Sequence, residues 1–208
     1  MKNMIRLTAS LALALAAMTL PAGGQNAPAG NSQPGVTHFD LAVSYTAKIA
    51  KISQQSSSNF VLNGASLDSV IWLKGKAGLK GKLGVAFDLS GETASNIEPG
   101  VNLTQFSGVV GPRYTAWQAK GAGYRPNLYT QALVGFVAGS NSVFPQAPGV
   151  VARTSAFALQ TGGGLNWPLS QHLGWRVFEA DYIYTQLPNN ASNQQSDLRL
   201  SSGINFHF

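Results

Sequence analysis

From His38 to the C-terminus, apolar and polar residues alternate with a period of two in eight separate segments. The stretch 83–90 is typical: in LGVAFDLS every second residue is apolar and those between are small or polar. Successive side chains of a strand point to opposite faces of a sheet, so this pattern predicts half-buried β-strands rather than helices. The predicted strands lie at about 38–48, 67–76, 83–90, 103–116, 128–138, 157–167, 173–187 and 196–208.

The predicted connections alternate in length along the chain. Long polar loops are expected at about 51–66, 91–102, 139–152 and 188–195, and short turns at 78–81 and 168–172. An even number of strands with short turns at one end and long loops at the other is typical of bacterial outer-membrane barrels. The connection 116–127 is longer than this rule expects. A secreted β-sandwich or lipocalin-like barrel also alternates, so the strand pattern alone leaves both classes open.

The N-terminal segment has the organisation of a secretory signal peptide. Two basic residues precede the apolar run 7–20, which small residues follow. That run is shorter than the roughly 20 residues of a membrane-spanning helix, so we predict a cleaved signal at 1–22. Cleavage is expected after Ala22, with Ala29 as the alternative. Residues 23–37 are rich in Gly, Pro, Asn and Gln and predict a flexible periplasmic lead-in to a barrel at 38–208.

Composition limits the function classes. Charged residues make up 11% of the chain, against roughly 25% in typical soluble domains. The mean hydropathy is +0.02, as expected when apolar and polar positions alternate. The absence of cysteine excludes a disulfide scaffold, lipoprotein processing and a thiol nucleophile. Without Lys2 and Arg6 of the predicted signal peptide, 12 basic and 8 acidic residues remain, so the formal net charge falls from +6 to +4. This small excess is scattered along the sequence, so no nucleic-acid-binding face is predicted.

The C-terminus distinguishes the outer-membrane barrel from the secreted soluble β-proteins. The last eight residues, SSGINFHF, resemble the C-terminal insertion signal of outer-membrane barrels, with Gly203, Phe206 and Phe208 at its specified positions. On a strand, one face would be apolar and face outward: Leu198, Leu200, Ile204, Phe206 and Phe208. The other face would point inward: Arg199, Ser201, Gly203, Asn205 and His207. Together with the signal peptide, this favours a barrel in the outer membrane.

The region 38–208 also resembles the OmpA-like eight-stranded barrel superfamily. It is most similar to a family of small Gram-negative outer-membrane β-barrel domain proteins that is common in acidobacteria. The resemblance is carried by residues 83–91, 111–114, 157–165, 176–185 and 197–208. It implies an all-β, eight-stranded antiparallel up-and-down transmembrane β-barrel in the bacterial outer membrane, reached after Sec-type export. Because the aromatic C-terminal signal is at Phe208, we expect no periplasmic peptidoglycan-binding domain, so the resemblance does not imply cell-wall anchoring.

The resemblance and the strand pattern together suggest partners. We expect contact with outer-membrane lipid and lipopolysaccharide, and with the barrel-assembly machinery through the C-terminal strand. No nucleic acid is expected to bind, and the protein is expected to be a monomer.

An eight-stranded barrel is just wide enough for side chains to fill its interior, so inward charges are expected to pair there. The candidates are four acids and four bases, namely Asp40, Lys48, Asp88, Arg113, Arg176, Glu179, Asp181 and Arg199. We predict a structural salt-bridge cluster in which Arg113, Asp181 and Arg199 tie neighbouring walls together. A gated ion path is the alternative. Arg176 and Asp181 differ in parity, which predicts either a bulge between them or an Arg176 that lies near the rim.

Enzymatic chemistry is not predicted. His38, His172 and His207 all lie near one end of the predicted barrel, whereas the polar loops lie at the other. The chain contains no nucleophile-elbow, zinc-protease, phosphate-loop or dinucleotide motif. We therefore expect no catalytic, metal or cofactor site. The predicted function is structural or surface-interacting, with a low-conductance pore as the alternative and a lipid A-modifying enzyme third.

Overall fold

The computed structural model describes residues 36–51, 59–73, 82–98, 101–121, 124–146, 149–188 and 193–208. The predicted signal peptide and the lead-in up to residue 35 lie outside this part of the chain, and residues 36 and 37 already belong to the first strand. The strands are β1 (Val36–Lys51), β2 (Asn59–Leu73), β3 (Leu83–Glu98), β4 (Val101–Gln118), β5 (Asn127–Gln146), β6 (Gly149–Pro168), β7 (Leu173–Thr185) and β8 (Gln195–His207).

Every strand pairs in antiparallel fashion with the next, and β8 pairs with β1, which closes the sheet into a barrel. The predicted fold class, an all-β eight-stranded antiparallel barrel, is confirmed. Within the described ranges, no helix is long and apolar enough to cross a membrane. Both β1 and β8 have a partner strand on each side, so the sheet has no free edge.

The register gives the barrel a fixed stagger. One row of paired residues runs through His38, Trp72, Gly84, Arg113, Gln131, Gly162, Asp181, Arg199 and Lys48. The row returns to β1 ten residues beyond its start, from His38 to Lys48. Such a stagger requires the strands to tilt against the barrel axis. It also places charged residues that are far apart in sequence on neighbouring strands.

The two faces of the barrel are inverted relative to a soluble protein. On β3, Phe87 is 43% exposed on the outside, whereas the adjacent Asp88 is fully buried in the lumen. On β1, Val43 and Tyr45 face outward while Ser44 and Thr46 are buried. A soluble lipocalin-like barrel would have the opposite distribution. An apolar exterior around a polar interior is the arrangement of a barrel that spans lipid.

Three of the four long loops predicted from the sequence are largely strand. β2 begins at Asn59, inside the loop expected at 51–66, and residues 74–76 of the predicted strand lie outside the described part of the chain. β3 and β4 leave only 99–100 between them, and β5 and β6 leave only 147–148. The prediction failed because these extensions carry polar residues on the outward face, so the alternation fades. The backbone ladder nevertheless continues and satisfies the N–H and C=O groups.

The strand extensions enclose an apolar cluster at the end of the barrel where β1 meets β2. We call this end the hairpin end, and the opposite end, where β1 begins and β8 finishes, the terminal end. The cluster contains Ala50, Leu62, Ala94, Leu103 and Phe144. Its burial supplies a hydrophobic reason for the strands to extend beyond the predicted limits.

Candidate functional site

The interior charges form the most unusual feature of the lumen, because most of them are almost completely inaccessible. Seven of the eight predicted residues are at most 2% exposed, namely Lys48, Asp88, Arg113, Arg176, Glu179, Asp181 and Arg199. The eighth, Asp40, lies partly buried at the terminal end. Isolated charges in such an environment would be very costly, so their partners determine whether the lumen is stable.

Three further acids that the sequence analysis omitted also face the lumen: Asp68, Glu92 and Asp197. Asp68 was missed because the predicted strand 67–76 has apolar residues at both odd and even positions, so alternation does not show which side faces the lumen. Glu92 fell in a predicted loop, although it shares the parity of Asp88. Asp197 shares the parity of Arg199, so alternation alone could have identified it. The expected balance of four acids and four bases is therefore wrong: the described lumen holds seven acids and four bases.

Asp68 is the centre of the group nearer the terminal end. Arg113 donates to both of its carboxylate oxygens, from Nη1 to Oδ1 over 2.8 Å and from Nη2 to Oδ2 over 2.6 Å. Arg176 donates from Nη2 to Asp68 Oδ1 over 2.8 Å, and its Nη1 lies 3.0 Å from Glu179 Oε2. One carboxylate on β2 thus holds guanidinium groups from β4 and β7. These contacts cross the lumen, and Arg176 does not lie at the rim.

Tyr129 completes this group from β5. Its hydroxyl donates to Glu179 Oε2, and the Arg113 guanidinium lies 4.3 Å from the centre of its ring. A cation above an aromatic face is attracted by the ring quadrupole, and more strongly where water is excluded. Tyr129 is itself buried, so its ring both fills the lumen and stabilises the charges around it.

Arg199 organises the group nearer the hairpin end. Its Nη2 lies 2.6 Å from Asp88 Oδ2 and 3.1 Å from Asp181 Oδ2. Gln160 Nε2 also donates to Asp181, over 3.1 Å. Beyond it, Lys48 Nζ donates to Glu92 Oε2 over 2.8 Å.

Gln131 links the two groups. Its carbonyl oxygen accepts from Arg113 Nε over 2.9 Å, and its amide nitrogen donates to Asp181 Oδ1 over 2.9 Å. The structure therefore brings Arg113, Asp181 and Arg199 into one chain of contacts, with Gln131 as the bridge. Sequence reasoning missed Gln131, although it is the residue beside Arg113 in the paired row.

The terminal end of the lumen contains a smaller polar group. Asp40 lies 2.6 Å from His207 Nδ1 and accepts from Trp72 Nε1 over 2.6 Å. Tyr124, in the connection between β4 and β5, packs on the His207 ring with the ring centroids 3.4 Å apart. Gly174 makes room for it, since a Cβ there would lie 2.8 Å from Tyr124 Cε1. Tyr124 thus covers the terminal end from outside the sheet.

The C-terminal residues lie at the seam between β8 and β1. Phe206 and Phe208 face outward, and the Phe208 ring lies 5.9 Å from that of Phe39. The backbone of Phe208 donates to Phe39 O over 3.0 Å. Gly203 allows β1 to approach closely, because a Cβ there would lie 2.1 Å from Val43 O. The proposed insertion signal is therefore part of the closing strand pair.

Within the described part of the chain, no three His, Asp or Glu side chains are grouped so that they could hold a metal ion. His172 Nδ1 lies 3.1 Å from His207 O, which keeps these two histidines together at the terminal end.

Comparison with known proteins gives a fold but no family. No protein-family model matches the chain, and no curated protein matches it. Among solved structures, Neisserial surface protein A is similar at 13% identity with a TM-score of 0.55, covering 82% of this chain and 97% of that chain. The attachment invasion locus protein Ail of Yersinia pestis, solved with the heparin analogue sucrose octasulfate, is similar at 15% identity and a TM-score of 0.53, covering 82% and 98%. The chain thus has the fold of the small eight-stranded outer-membrane barrels.

Proposed function

We propose that this protein is a monomeric integral outer-membrane barrel with a structural or surface-interaction role. The observation that carries the proposal is the lumen: a chain of buried ion pairs and hydrogen bonds crosses it from β2 and β4 to β7 and β8. Interlocked side chains of this kind favour a rigid membrane anchor over a conducting channel. The strand extensions at the hairpin end would then display the surface that contacts partners.

The distribution of aromatic residues supports an orientation with the terminal end in the periplasm. Trp117, Trp167 and Trp175 are exposed near the terminal end, and Tyr45 and Tyr182 are exposed further toward the hairpin end. Tryptophan and tyrosine prefer the two membrane–water interfaces, so these residues mark two girdles. The apolar band between them would contact outer-membrane lipid, and the hairpin end would meet lipopolysaccharide.

Planar-bilayer recording of the refolded protein tests the closed lumen. We expect no conductance steps from protein whose folded state has first been verified by its heat-dependent shift in gel mobility. Regular steps from the folded protein would contradict the anchor proposal and support the low-conductance pore instead.

Mass analysis of lipid A with and without expression should show no change, because the described lumen has no exposed base beside a nucleophile.

A second experiment tests the role of the C-terminal strand in assembly. Phe208→Ala should lower the amount of protein in the outer membrane of cells while leaving refolding in detergent nearly unchanged, because assembly machinery would recognise the exposed ring. Phe208→Tyr keeps an aromatic residue and serves as the matched control. Equal losses in cells and in detergent would show that Phe208 acts only by stabilising the seam with Phe39.

A further inference from the structure

Folding separates the charges of this chain. The sequence contains eight acidic residues, and seven of them point into the lumen. Few acidic residues are therefore left on the outside of the barrel to balance the lysines and arginines there. The exterior is therefore more basic than the sequence composition suggests.

At the terminal end this produces a basic rim patch, which we define as Lys82, Lys120 and Arg125. Lys82 and Lys120 are exposed, and Arg125 is half-buried. Arg125 Nη1 donates to Ala119 O over 3.1 Å, which fixes the guanidinium on the connection between β4 and β5. None of the ion pairs formed by the described residues involves these three side chains.

The patch adjoins outward-facing aromatic residues. The Thr115 amide donates to Lys82 O over 2.7 Å, which holds Lys82 beside β4. On the same strand Tyr114 and Trp117 face outward, and Trp117 is 54% exposed. Aromatic rings and cations at one level are the combination found at a membrane–water interface.

The basic residues occupy one side of the rim. The connection between β6 and β7, residues 169–172, has the sequence LSQH and contains neither lysine nor arginine. Trp167 and Trp175 lie beside that connection and are exposed to a similar extent as Trp117. The barrel thus offers two aromatic sites at the same end, one with cations and one without.

We propose that the basic rim patch binds the phosphate of anionic phospholipid headgroups in the periplasmic leaflet of the outer membrane. The proposal rests on the orientation given under the proposed function. Lysine stems can lie along apolar surface while their ammonium groups reach the headgroups. Basic clusters next to a membrane are attracted to anionic lipid, and this attraction weakens as salt screens it.

The test compares quenching of tryptophan fluorescence by brominated phosphatidylglycerol and brominated phosphatidylcholine in reconstituted vesicles. One variant, Trp167→Phe/Trp175→Phe, reports on Trp117. The matched variant, Trp117→Phe, reports on the lysine-free side. Trp72 is retained in both because it is buried inside the lumen. Anionic lipid in both leaflets makes the direction of insertion irrelevant.

We expect Trp117 to be quenched preferentially by the phosphatidylglycerol, and Trp167 and Trp175 to be quenched equally by both lipids. Lys82→Gln and Lys120→Gln should each lower the relative binding constant at Trp117 by about fivefold. Lys82→Arg should retain the preference, and added salt should reduce it. These variants lie outside the lumen network, so the fold should be unaffected.

Equal quenching of Trp117 by both lipids would overturn the inference. So would a preference that survives both glutamine substitutions, or one that Trp167 and Trp175 share. A Trp117 response to inorganic polyphosphate without any lipid preference would assign the patch to a soluble polyanion and also overturn it. The failure of the proposed function is distinguishable, because it would appear as regular conductance steps from the folded protein, whichever lipid quenches Trp117.

Discussion

Arg176 and Glu179 lie three positions apart on β7, yet both side chains point into the lumen and meet at 3.0 Å. Regular alternation would send one of them outward. Pairing with β6 passes from Phe178 directly to Arg176, so Val177 is the extra residue of a β-bulge. The bulge predicted from the parity conflict in this strand is present, and it is what makes the ion pair possible.

Deleting Val177 should therefore strongly lower the fraction of protein that folds into the barrel. Without the extra residue, either Arg176 or Glu179 would face lipid, and a charge at the middle of a membrane costs about 2–4 kcal/mol for arginine in a barrel. The measurement is the folded fraction after refolding into detergent, read from gel mobility. Val177→Ala keeps the bulge and is the control. Normal folding of the deletion variant would show that the bulge is dispensable.

Arg199→Met should destabilise the barrel strongly. The substitution leaves Asp88 and Asp181 facing each other without the guanidinium that both contact. Loss of one partner of a buried ion pair costs about 3–5 kcal/mol. Urea-induced unfolding in vesicles measures the change. Adding Asp88→Asn to this variant should recover part of the loss. Unchanged heat stability and gel mobility in Arg199→Met would contradict the proposed tie between the walls.

The lumen acids should differ in importance according to their partners. Asp68→Asn removes the negative charge that holds both Arg113 and Arg176, so we expect a loss of about 3–5 kcal/mol. Asp197→Asn should change stability by about 1 kcal/mol or less, because Oδ2 of this buried carboxylate has no hydrogen-bond partner. Unfolding free energies of the two variants provide the comparison. Similar values would mean that burial, rather than pairing, determines the effect.

The packing of Tyr124 over the terminal end of the lumen should become less stable at alkaline pH. Burial raises the pKa of Tyr124 from 10.0 to about 12. When the connection between β4 and β5 opens, the Tyr124 hydroxyl ionises at a lower pH than when Tyr124 is packed. The packed state therefore loses stability relative to the open state as the pH rises from 10 to about 12. Below pH 10 the contribution is fully present. The pH dependence of urea unfolding should be shallower in Tyr124→Phe, which keeps the ring on His207. Identical profiles would show that Tyr124 does not titrate with opening.

Much of the fold could be predicted because lipid imposes a regular requirement on each strand. Alternation correctly assigned Phe87 to the outside and Asp88 to the lumen. It failed at the hairpin end, where the outward face meets water and the sequence no longer has to alternate. There the strands are held by backbone pairing and by buried residues such as Leu62 and Phe144, which lie far apart in sequence.

The contacts between lumen residues were harder to predict than which residues face the lumen. Parity places Arg113 inside, whereas Arg176 reaches the lumen only because of the bulge at Val177. Their shared contact with Asp68 depends on the register of all the intervening strands. Tyr124 had no alternation signal at all, since it belongs to a connection. Its position on the His207 ring depends on the absence of a side chain at Gly174.

The seam between β1 and β8 joins the first and the last strands of the chain. Closure consequently needs β8, the last strand made, and an intermediate without this seam exposes two unpaired strand edges. Contacts across this seam also span almost the whole barrel sequence, so their loop-closure cost falls at the end of folding. Until the two ends meet, these edges are open to pairing with other chains.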